Sequence, residues 1–249
     1  MPEVKAEKDR IRRSIWDRLL REGLARPPLP PHGRIPNFAC SRAAAERLFG
    51  TPEWRRARVV KVNPDSPQRP VRLEALREGK LLIMPTPRLR RGFLLLDPAR
   101  IPARSYPTAS TIRGAFRWGL LLSRLADLER LPRLDLIVEG SVAVDLWGGR
   151  LGKGEGYGEL EYAILAELGK AGEDTPIATT VHDVQVVGER LPQDPWDVPI
   201  DIIATPTRLI RIRERPTRPP GILWDLLPEE KLREIPLLSE IKRSRSPRN

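Results

Sequence analysis

The chain contains little cysteine and histidine: Cys40 is the single cysteine, and His32 and His182 are the two histidines among 249 residues. One cysteine cannot form an intrachain disulfide, and this set cannot supply the Cys and His ligands of a zinc site. A zinc enzyme is therefore excluded. Aromatic residues make up 5% of the chain, which leaves few rings to stack against nucleic-acid bases.

Long apolar runs are also missing. No run approaches the roughly 18 residues that a membrane-spanning helix needs. The N-terminal stretch MPEVKAEKDRIRR lacks the apolar centre of a secretory signal peptide. We therefore expect a cytoplasmic protein without a membrane partner.

Basic residues and proline are abundant instead. The 44 Lys and Arg outnumber the 33 Asp and Glu, which gives a net charge of +11, and 27 residues are proline. This charge favours an anionic partner, either a polyanion or a small ligand such as a nucleoside triphosphate. Abundant Arg and Pro with few Cys and Met also resemble the composition of thermophilic proteins.

Predicted strands and helices alternate along the chain. Helical spacing runs from Val4 to Leu20, and a mostly helical stretch is predicted in TIRGAFRWGLLLSRLADLER. The strand candidates are RVVKVN, LLIMP, FLLLD, LDLIVEGSVAVD, TPIATTVHDVQVV and PIDIIATPTRLI. Apolar strands without polar alternation favour an α/β fold with a mainly parallel sheet and helices on both faces. We expect one domain over residues 1–240 and a basic flexible tail over 241–249.

The stretch GGRLGKGEGYGELEYAIL places six glycines in its first eleven residues and then continues as an apolar-periodic helix. It joins a predicted strand to the next helix, where an α/β fold exposes backbone amides. Gly152, Gly154 and Gly156 would let the main chain approach an anion, and basic side chains in the loop add charge. The G-x-G-x-G spacing is neither the Rossmann nor the Walker pattern. By itself it fits a phosphate loop or an ordinary tight turn.

The glycine stretch belongs to a longer pattern. RLGKGEGYGELEY is preceded by DLIVEGSVAVD and followed by VHDVQVVGERLPQDPWDVPIDIIATP, and together they resemble the signature of the 5-formyltetrahydrofolate cyclo-ligase family. Lys8 and Arg12 match the Lys and Arg with which that family holds nucleotide phosphates, and their i, i+4 spacing places them together. A solvated basic helix face would show the same spacing. The other positions that match the family signature are Asp145, Gln185, Pro192, Asp197, Asp201 and Thr205.

The resemblance implies a fold similar to the sugar-phosphate isomerase and CoA-transferase group. It also implies the ATP- and Mg²⁺-dependent conversion of 5-formyltetrahydrofolate, or a related pterin, to 5,10-methenyltetrahydrofolate, ADP and phosphate. By match, Tyr157 would lie where nucleotide and folate meet, Asp65 is the nearest candidate for a substrate-binding carboxylate, and Glu159 and Asp197 would hold magnesium. The residues implied to bind ATP are Lys8, Arg12, Arg150, Gly152, Lys153, Gly154, Gly156 and Tyr157.

Three positions depart from the family pattern. Where the family has GYYD this chain has GYGE, so Gly158 replaces an aromatic residue and Glu159 replaces aspartate. Glu155 also places a negative charge inside the presumed phosphate loop. Since Mg²⁺ requires tight octahedral geometry, these changes suggest either a different pterin substrate or a member that binds nucleotide without this catalysis.

Two other residues near the signature are interpreted as structural. His182 lies in a predicted strand, where a core or hydrogen-bonded histidine is more common than a catalytic one. Trp196, beside Asp197, is expected to close the core rather than to pack against a ligand ring.

Two competing hypotheses remain beside the ligase. The first is a basic nucleic-acid-binding protein that uses RLRRGF, RLIRIRERPTR and IKRSRSPRN to neutralise phosphates, although no recognition module accompanies them. The second is a non-catalytic nucleotide-binding relative on the same fold. The glycine stretch distinguishes nucleotide binding from nucleic-acid binding, because a nucleotide site needs it and a nucleic-acid-binding protein leaves it unexplained.

Overall fold

The computed structural model describes residues 2–245. No helix in this range is both long and apolar enough to span a bilayer. The helices are α1 (Pro2–Arg21), α2 (Ser41–Phe49), α3 (Pro52–Arg56), α4 (Arg69–Arg77), α5 (Tyr106–Ala109), α6 (Ile112–Trp118), α7 (Leu125–Glu129), α8 (Tyr157–Glu167), α9 (Glu229–Glu234) and α10 (Pro236–Arg245). The strands are β1 (Ala25–Arg26), β2 (Asn37–Phe38), β3 (Val59–Val62), β4 (Leu81–Pro85), β5 (Phe93–Leu96), β6 (Leu120–Leu122), β7 (Leu136–Glu139), β8 (Ala143–Val144), β9 (Arg150–Leu151), β10 (Ile177–Thr180), β11 (Ile202–Ala204) and β12 (Leu209–Arg211).

Eight strands form one sheet in the order β12-β11-β10-β7-β3-β4-β5-β6. The five strands from β11 to β4 run parallel. Strands β12, β5 and β6 pair antiparallel at the two edges. In the middle, Lys61 of β3 lies opposite Ile137 of β7 and Ile83 of β4. The mainly parallel sheet predicted from the apolar strands is confirmed.

Both faces of this sheet are buried, because successive residues of a strand point to opposite sides. Val59 and Ile137 contribute to a core formed with α7, α8 and α10. Val60 and Leu136, their neighbours along the strands, contribute to a core formed with α2 to α6. Each buried aliphatic side chain stabilises the fold by about 1.5–3 kcal/mol, so helices on both faces are required to exclude water.

Helix α1 packs through a third, smaller core that includes β8 and β9. Ile15 and Leu19 of α1 meet Phe38 there. The proline-rich connector after α1 follows the same surface, since Trp16 Nε1 donates to the Arg34 carbonyl at 3.0 Å. The connector therefore lies against the body of the protein, as its stiffness led us to expect.

The stretch LDLIVEGSVAVD is two strands rather than one. Strand β7 ends at Glu139, and β8 pairs antiparallel with β9 in a separate ribbon. The break falls at Gly140, where a Cβ would lie 3.0 Å from Gln68 Oε1 and 3.0 Å from Ile35 Cγ2. The ribbon returns the chain to this point, because Arg150 Nη1 donates to the Gly140 carbonyl at 2.7 Å.

The stretch TIRGAFRWGLLLSRLADLER is also divided. Helix α6 ends at Trp118, and the following Gly119 has an extended backbone with φ −88° and ψ 148°. Leu120–Leu122 then forms β6, which pairs with β5 at the edge of the sheet. Three consecutive leucines are compatible with either a helix or a strand. They form a strand here because the free edge of β5 offers them a pairing partner.

Helix α10 belongs to the core. Leu238 and Ile241 are 0% and 1% exposed, and the helix continues to Arg245. The part of the expected tail that the structure describes, residues 241–245, is helical, with Ile241 buried and 242–245 exposed. The remaining part of that tail, 246–249, lies outside the described residues.

Candidate functional site

A cavity of about 1160 Å³ lies where β3, β4 and β7 end. Its lining includes Asp65 after β3, Thr86 after β4 and Gly140 after β7, which is where open α/β sheets bind ligands. Residues as far apart in the sequence as Lys8 and Asp197 line the same cavity. The residues expected to bind ATP, substrate or magnesium all line it, namely Lys8, Arg12, Asp65, Arg150, Gly152, Lys153, Gly154, Gly156, Tyr157, Glu159 and Asp197.

The glycine turn leads directly into the N-terminus of α8. Gly154 has φ +100° and Gly156 has φ +73°, a region in which residues with a side chain are strained. Gly156 immediately precedes Tyr157, the first residue of the helix. The unpaired N–H groups of the first helical turn are therefore at the cavity wall, where they favour an anion.

Arg12 of α1 lies across this turn. Its Nε donates to the Gly152 carbonyl at 2.8 Å, and its Nη1 donates to Asp9 at 2.7 Å. A Cβ at Gly154 would come within 3.3 Å of the same guanidinium. The first helix and the glycine turn therefore form one basic wall, although they are remote in sequence.

The expected phosphate-binding cations are paired with the expected metal-binding carboxylates. The Lys8 ammonium donates to Asp194 at 2.7 Å and also to Asp197, and Arg150 donates to Glu159. Burial raises the pKa of Asp197, whereas the Lys8 charge acts in the opposite direction. Burial would lower the pKa of Arg150, but nearby carboxylates, Glu159 foremost, outweigh it and the pKa is raised. Arg150 therefore remains charged in the cavity wall.

The donor set fits magnesium only together with phosphate oxygens. Across residues 2–245 no group of three or more His, Cys, Asp or Glu side chains is arranged to hold a metal ion. Glu159 and Asp197 offer two carboxylates, and magnesium commonly takes one or two carboxylates and completes its octahedron with phosphates and water. The residues present therefore suit a magnesium–nucleotide complex better than a free ion.

Asp65 lies in the same cavity on the loop after β3. Its backbone is held because Arg72 Nη1 donates to the Asp65 carbonyl at 2.9 Å. Burial raises the pKa of the Asp65 carboxyl, and the charges of Lys153 and Arg72 act against this. A carboxyl in this environment can accept or donate a hydrogen bond to a ligand.

A sequence profile of the 5-formyltetrahydrofolate cyclo-ligase family matches residues 4–206. The chain belongs to this family. The resemblance inferred from the glycine stretch and its flanking strands is therefore confirmed. The three departures noted above, Glu155, Gly158 and Glu159, all line the cavity.

Curated relatives agree with the family match. The chain is 39% identical over 246 residues to a methenyltetrahydrofolate synthase domain-containing protein of Bos taurus, covering 97% of this chain and 63% of the relative. It is 37% identical over 243 residues to the Homo sapiens protein of the same name, covering 96% of this chain and 62% of the relative. The 5-formyltetrahydrofolate cyclo-ligase of Escherichia coli K12 is 34% identical over 83 residues, 33% of this chain and 42% of that enzyme. The chain thus spans just over three fifths of the longer relatives.

A solved structure shows the same fold. The NMR structure of Aquifex aeolicus 5,10-methenyltetrahydrofolate synthetase superposes with a TM-score of 0.50 and 22% identity, covering 85% of this chain and 96% of that one. The two proteins therefore share the α/β architecture with its mainly parallel sheet.

The family match ends before a large part of the cavity wall. Pro219, Leu223 and Leu227 line the cavity together with Lys231 of α9, and all four follow residue 206. Arg218 holds this C-terminal segment down, since its Nη1 donates to the Thr175 carbonyl at 2.7 Å. Sequence reasoning missed these residues, because the segment after 212 carries no motif.

The departures from the cyclo-ligase pattern have local partners. Glu155 pairs with Lys153 at 2.7 Å and lies 3.5 Å from Arg88, so its negative charge is compensated within the loop. A Cβ at Gly158 would lie 3.0 Å from Arg150 Nη2 and 3.3 Å from Glu139 Oε2. The small residue at 158 therefore leaves room for the buried Arg150 side chain.

A buried charged cluster lies beside the cavity, whose lining includes Asn63, Glu139 and Glu161. Lys61 Nζ is 2.6 Å from Glu139 Oε1 and 2.5 Å from Glu161 Oε2, and Asn63 Nδ2 donates to Glu161 at 2.9 Å. Burial raises the pKa of Glu161 to about 7, while Lys61 acts to lower it. Sequence reasoning missed this cluster. The available signal was a charged residue inside an apolar strand, in RVVKVN and again in DLIVEG.

The two residues interpreted as structural behave differently. His182 makes a hydrogen bond, as expected: its Nδ1 accepts from the Val184 N–H at 3.3 Å and caps a short 3₁₀ turn. Trp196 is only half-buried and lines the cavity. The expectation that it closes the core is wrong, because the loop from Asp194 to Asp197 is held at the cavity by Lys8.

Proposed function

We propose that this chain converts 5-formyltetrahydrofolate, or a related reduced pterin, to 5,10-methenyltetrahydrofolate with consumption of ATP in the presence of Mg²⁺. The main support is the basic wall formed by Lys8, Arg12 and Lys153 beside the glycine turn, in a chain that belongs to the cyclo-ligase family. A nucleotide site of this kind requires positioned cations and helix N–H groups, and both line one cavity.

The proposed reaction needs activation of a poor leaving group. The formyl oxygen takes the γ-phosphoryl group of ATP and ADP is released. The N10 nitrogen then attacks the formyl carbon, the carbon–oxygen bond breaks, phosphate departs and N10 loses its proton. The protein has to position phosphates and exclude water, and no nucleophilic side chain is required. This fits a chain with one cysteine and two histidines.

The ion pairs in the cavity suit this substrate. A magnesium ion neutralises phosphate charge when it is bound, and Glu159 and Asp197 would hold it. Arg150 and Lys8, their present partners, would then turn to phosphate oxygens. The magnesium–nucleotide complex carries charges of both signs, so each carboxylate and each cation would exchange its present partner for a new one. No buried charge would be left unpaired, and an unpaired buried charge is strongly destabilising. Arg12 keeps the glycine turn in place, and Lys153 would add a further charged contact to phosphate.

The experiment that tests this proposal combines an assay with a binding variant. Purified protein, Mg-ATP and 5-formyltetrahydrofolate should give the near-ultraviolet absorbance of the methenyl product, and omission of ATP should abolish it. Lys153→Ala should weaken ATP binding by about tenfold or more, measured by calorimetry, because one charged contact to phosphate is lost. Lys242→Ala, which removes the same charge from an exposed position on α10, is the matched control.

The same variants test the nucleic-acid hypothesis. If the ligase proposal holds, Lys153→Ala leaves binding of single-stranded RNA nearly unchanged. Loss of RNA binding with ATP binding intact would contradict the ligase and favour the basic nucleic-acid-binding protein. ATP binding without any methenyl product from 5-formyltetrahydrofolate would instead favour a different pterin substrate or a non-catalytic relative.

A further inference from the structure

A second set of basic side chains lines the cavity apart from α1 and the glycine turn. Arg88 and Arg90 lie on the turn between β4 and β5, and Lys231 lies on α9. Leu89, between the two arginines, is fully buried, so the turn is anchored and its two arginines are held at the rim.

These cations have weak partners. Arg88 Nη2 is 3.5 Å from Glu155, and Arg90 Nε and Lys231 Nζ are 3.5 and 3.6 Å from the two oxygens of Glu234. Strong N–H···O bonds are 2.7–3.2 Å long, so all three cations retain donor capacity for a ligand. Glu155 is shared with Lys153. Because Lys153 of the glycine turn lies closer to Glu155, at 2.7 Å, Glu234 is the carboxylate that remains for Arg88, Arg90 and Lys231, and two positive charges are left over among these described residues.

Tyr157 holds part of the set at the cavity. Its hydroxyl donates to Glu234 at 2.6 Å, and the Lys231 ammonium lies 3.6 Å from the centre of its ring. One face of the ring is thus covered by a cation and is closed to a stacked heterocycle. The ring and Glu234 together fix Lys231 beside the ligand space.

We propose that Arg88, Arg90 and Lys231 form a second anion subsite, which binds the carboxylates at the tail of the ligand. This rests on the proposed function, since 5-formyltetrahydrofolate ends in a glutamate with two carboxylates, and these match the two excess positive charges. The glycine turn and α1 take the triphosphate at the other subsite. Lys231 lies beyond the part of the chain that matches the family, so the C-terminal segment supplies part of the substrate specificity.

The test compares two ligands that differ only in the tail. Calorimetry with 5-formyltetrahydrofolate and with 5-formyltetrahydropteroate, which lacks the glutamate, is carried out on the wild type, Lys231→Ala and Arg90→Ala. Each variant should bind the glutamate-bearing ligand about tenfold more weakly, since one charge-assisted contact is lost, and should bind the pteroate like the wild type. Arg233→Ala on α9 and Arg91→Ala on the β4–β5 turn remove exposed charges that do not line the cavity, and neither should change either affinity.

Three results would overturn the proposal. If Lys231→Ala weakened the binding of both pterins equally, Lys231 would act only by holding Tyr157. Calorimetry of the same variants with ATP gives the second result: weaker ATP binding with unchanged folate binding would assign these cations to the triphosphate. A wild type that binds neither pterin would refute the proposed function, and the subsite with it. That result is distinct from the other two, because no wild-type signal would exist to be lost.

Discussion

At the scale of single residues, charged side chains inside apolar strands are the clearest departure from the rules that shape the rest of the chain. Lys61 is fully buried in the middle of β3 and Glu139 ends β7. Burying either one alone would be strongly unfavourable. They are tolerated because neighbouring parallel strands end together and place them in contact, and such local conflicts with sequence preference tend to occur at functional sites.

His182 provides a test of one residue through pH. Burial lowers its pKa below the ordinary value of 6.5, and its Nδ1 must stay unprotonated to accept the Val184 N–H. The unfolded chain therefore binds more protons between the folded pKa and 6.5. The stability contributed by the neutral ring is complete above 6.5 and is lost as the pH falls toward the folded pKa.

His182→Asn replaces the capping nitrogen with a side-chain oxygen that can accept the same N–H but does not titrate. We expect the wild type and the variant to have similar free energies of unfolding at about pH 8. The wild type should lose about 1 kcal/mol relative to the variant near pH 5, the value of one helix cap. Urea unfolding across this pH range measures the difference. Parallel curves for the two proteins would show that the His182 ring has no part in the acid response.

At the scale of secondary-structure elements, the C-terminal helices determine how the cavity is closed. Helix α9 brings Lys231 to the cavity, and α10 packs into the core shared with α8. The segment between them and β12 is held through Glu167, whose Oε2 accepts the Ile222 N–H at 3.0 Å. The last helices are therefore a wall of the site rather than an appendage.

Leu238→Ala tests whether α10 is part of the folded core. Leu238 is fully buried, so truncation should lower the free energy of unfolding by about 2–5 kcal/mol, through lost burial and the cavity left behind. Lys242→Ala on the exposed side of the same helix should stay within about 0.5 kcal/mol of the wild type. Urea unfolding of both variants measures these free energies. Equally small changes for the two variants would mean that α10 is not packed against the core in solution.

At the scale of the whole molecule, one sheet serves two large cores. Since adjacent residues of β3 and β7 belong to opposite cores, neither core can be lost while the strands persist. The third core ties α1 to the ribbon of β8 and β9. We therefore propose that the described chain is a single domain.

This architecture predicts one cooperative unfolding transition. Far-ultraviolet circular dichroism reports the helices and strands, and fluorescence reports the six tryptophans. The two signals should change with the same urea midpoint and the same slope, as two-state unfolding requires. Midpoints that separate by more than their error would instead indicate two units, most simply a C-terminal part that unfolds first.

Much of the fold and the identity of the glycine turn could be predicted from the sequence by itself. Apolar strands without polar alternation require a sheet covered on both faces, and the positions of Gly154 and Gly156 require a backbone conformation that other residues avoid. The spaced matches around the glycine stretch predicted the cyclo-ligase family. These features depend on local backbone preferences or on residues close in the chain, so they are readable without coordinates.

Only the tertiary structure decided which of these residues meet and what their charges do. Lys8 and Asp197 are 189 positions apart and form a buried pair, and Lys231 reaches Tyr157 from a segment without a motif. The end of β7 at Gly140 and the strand at Leu120–Leu122 also depended on neighbours elsewhere in the chain. Pairing, burial and strand edges are properties of the packed chain, because each is set by partners that chain order does not reveal.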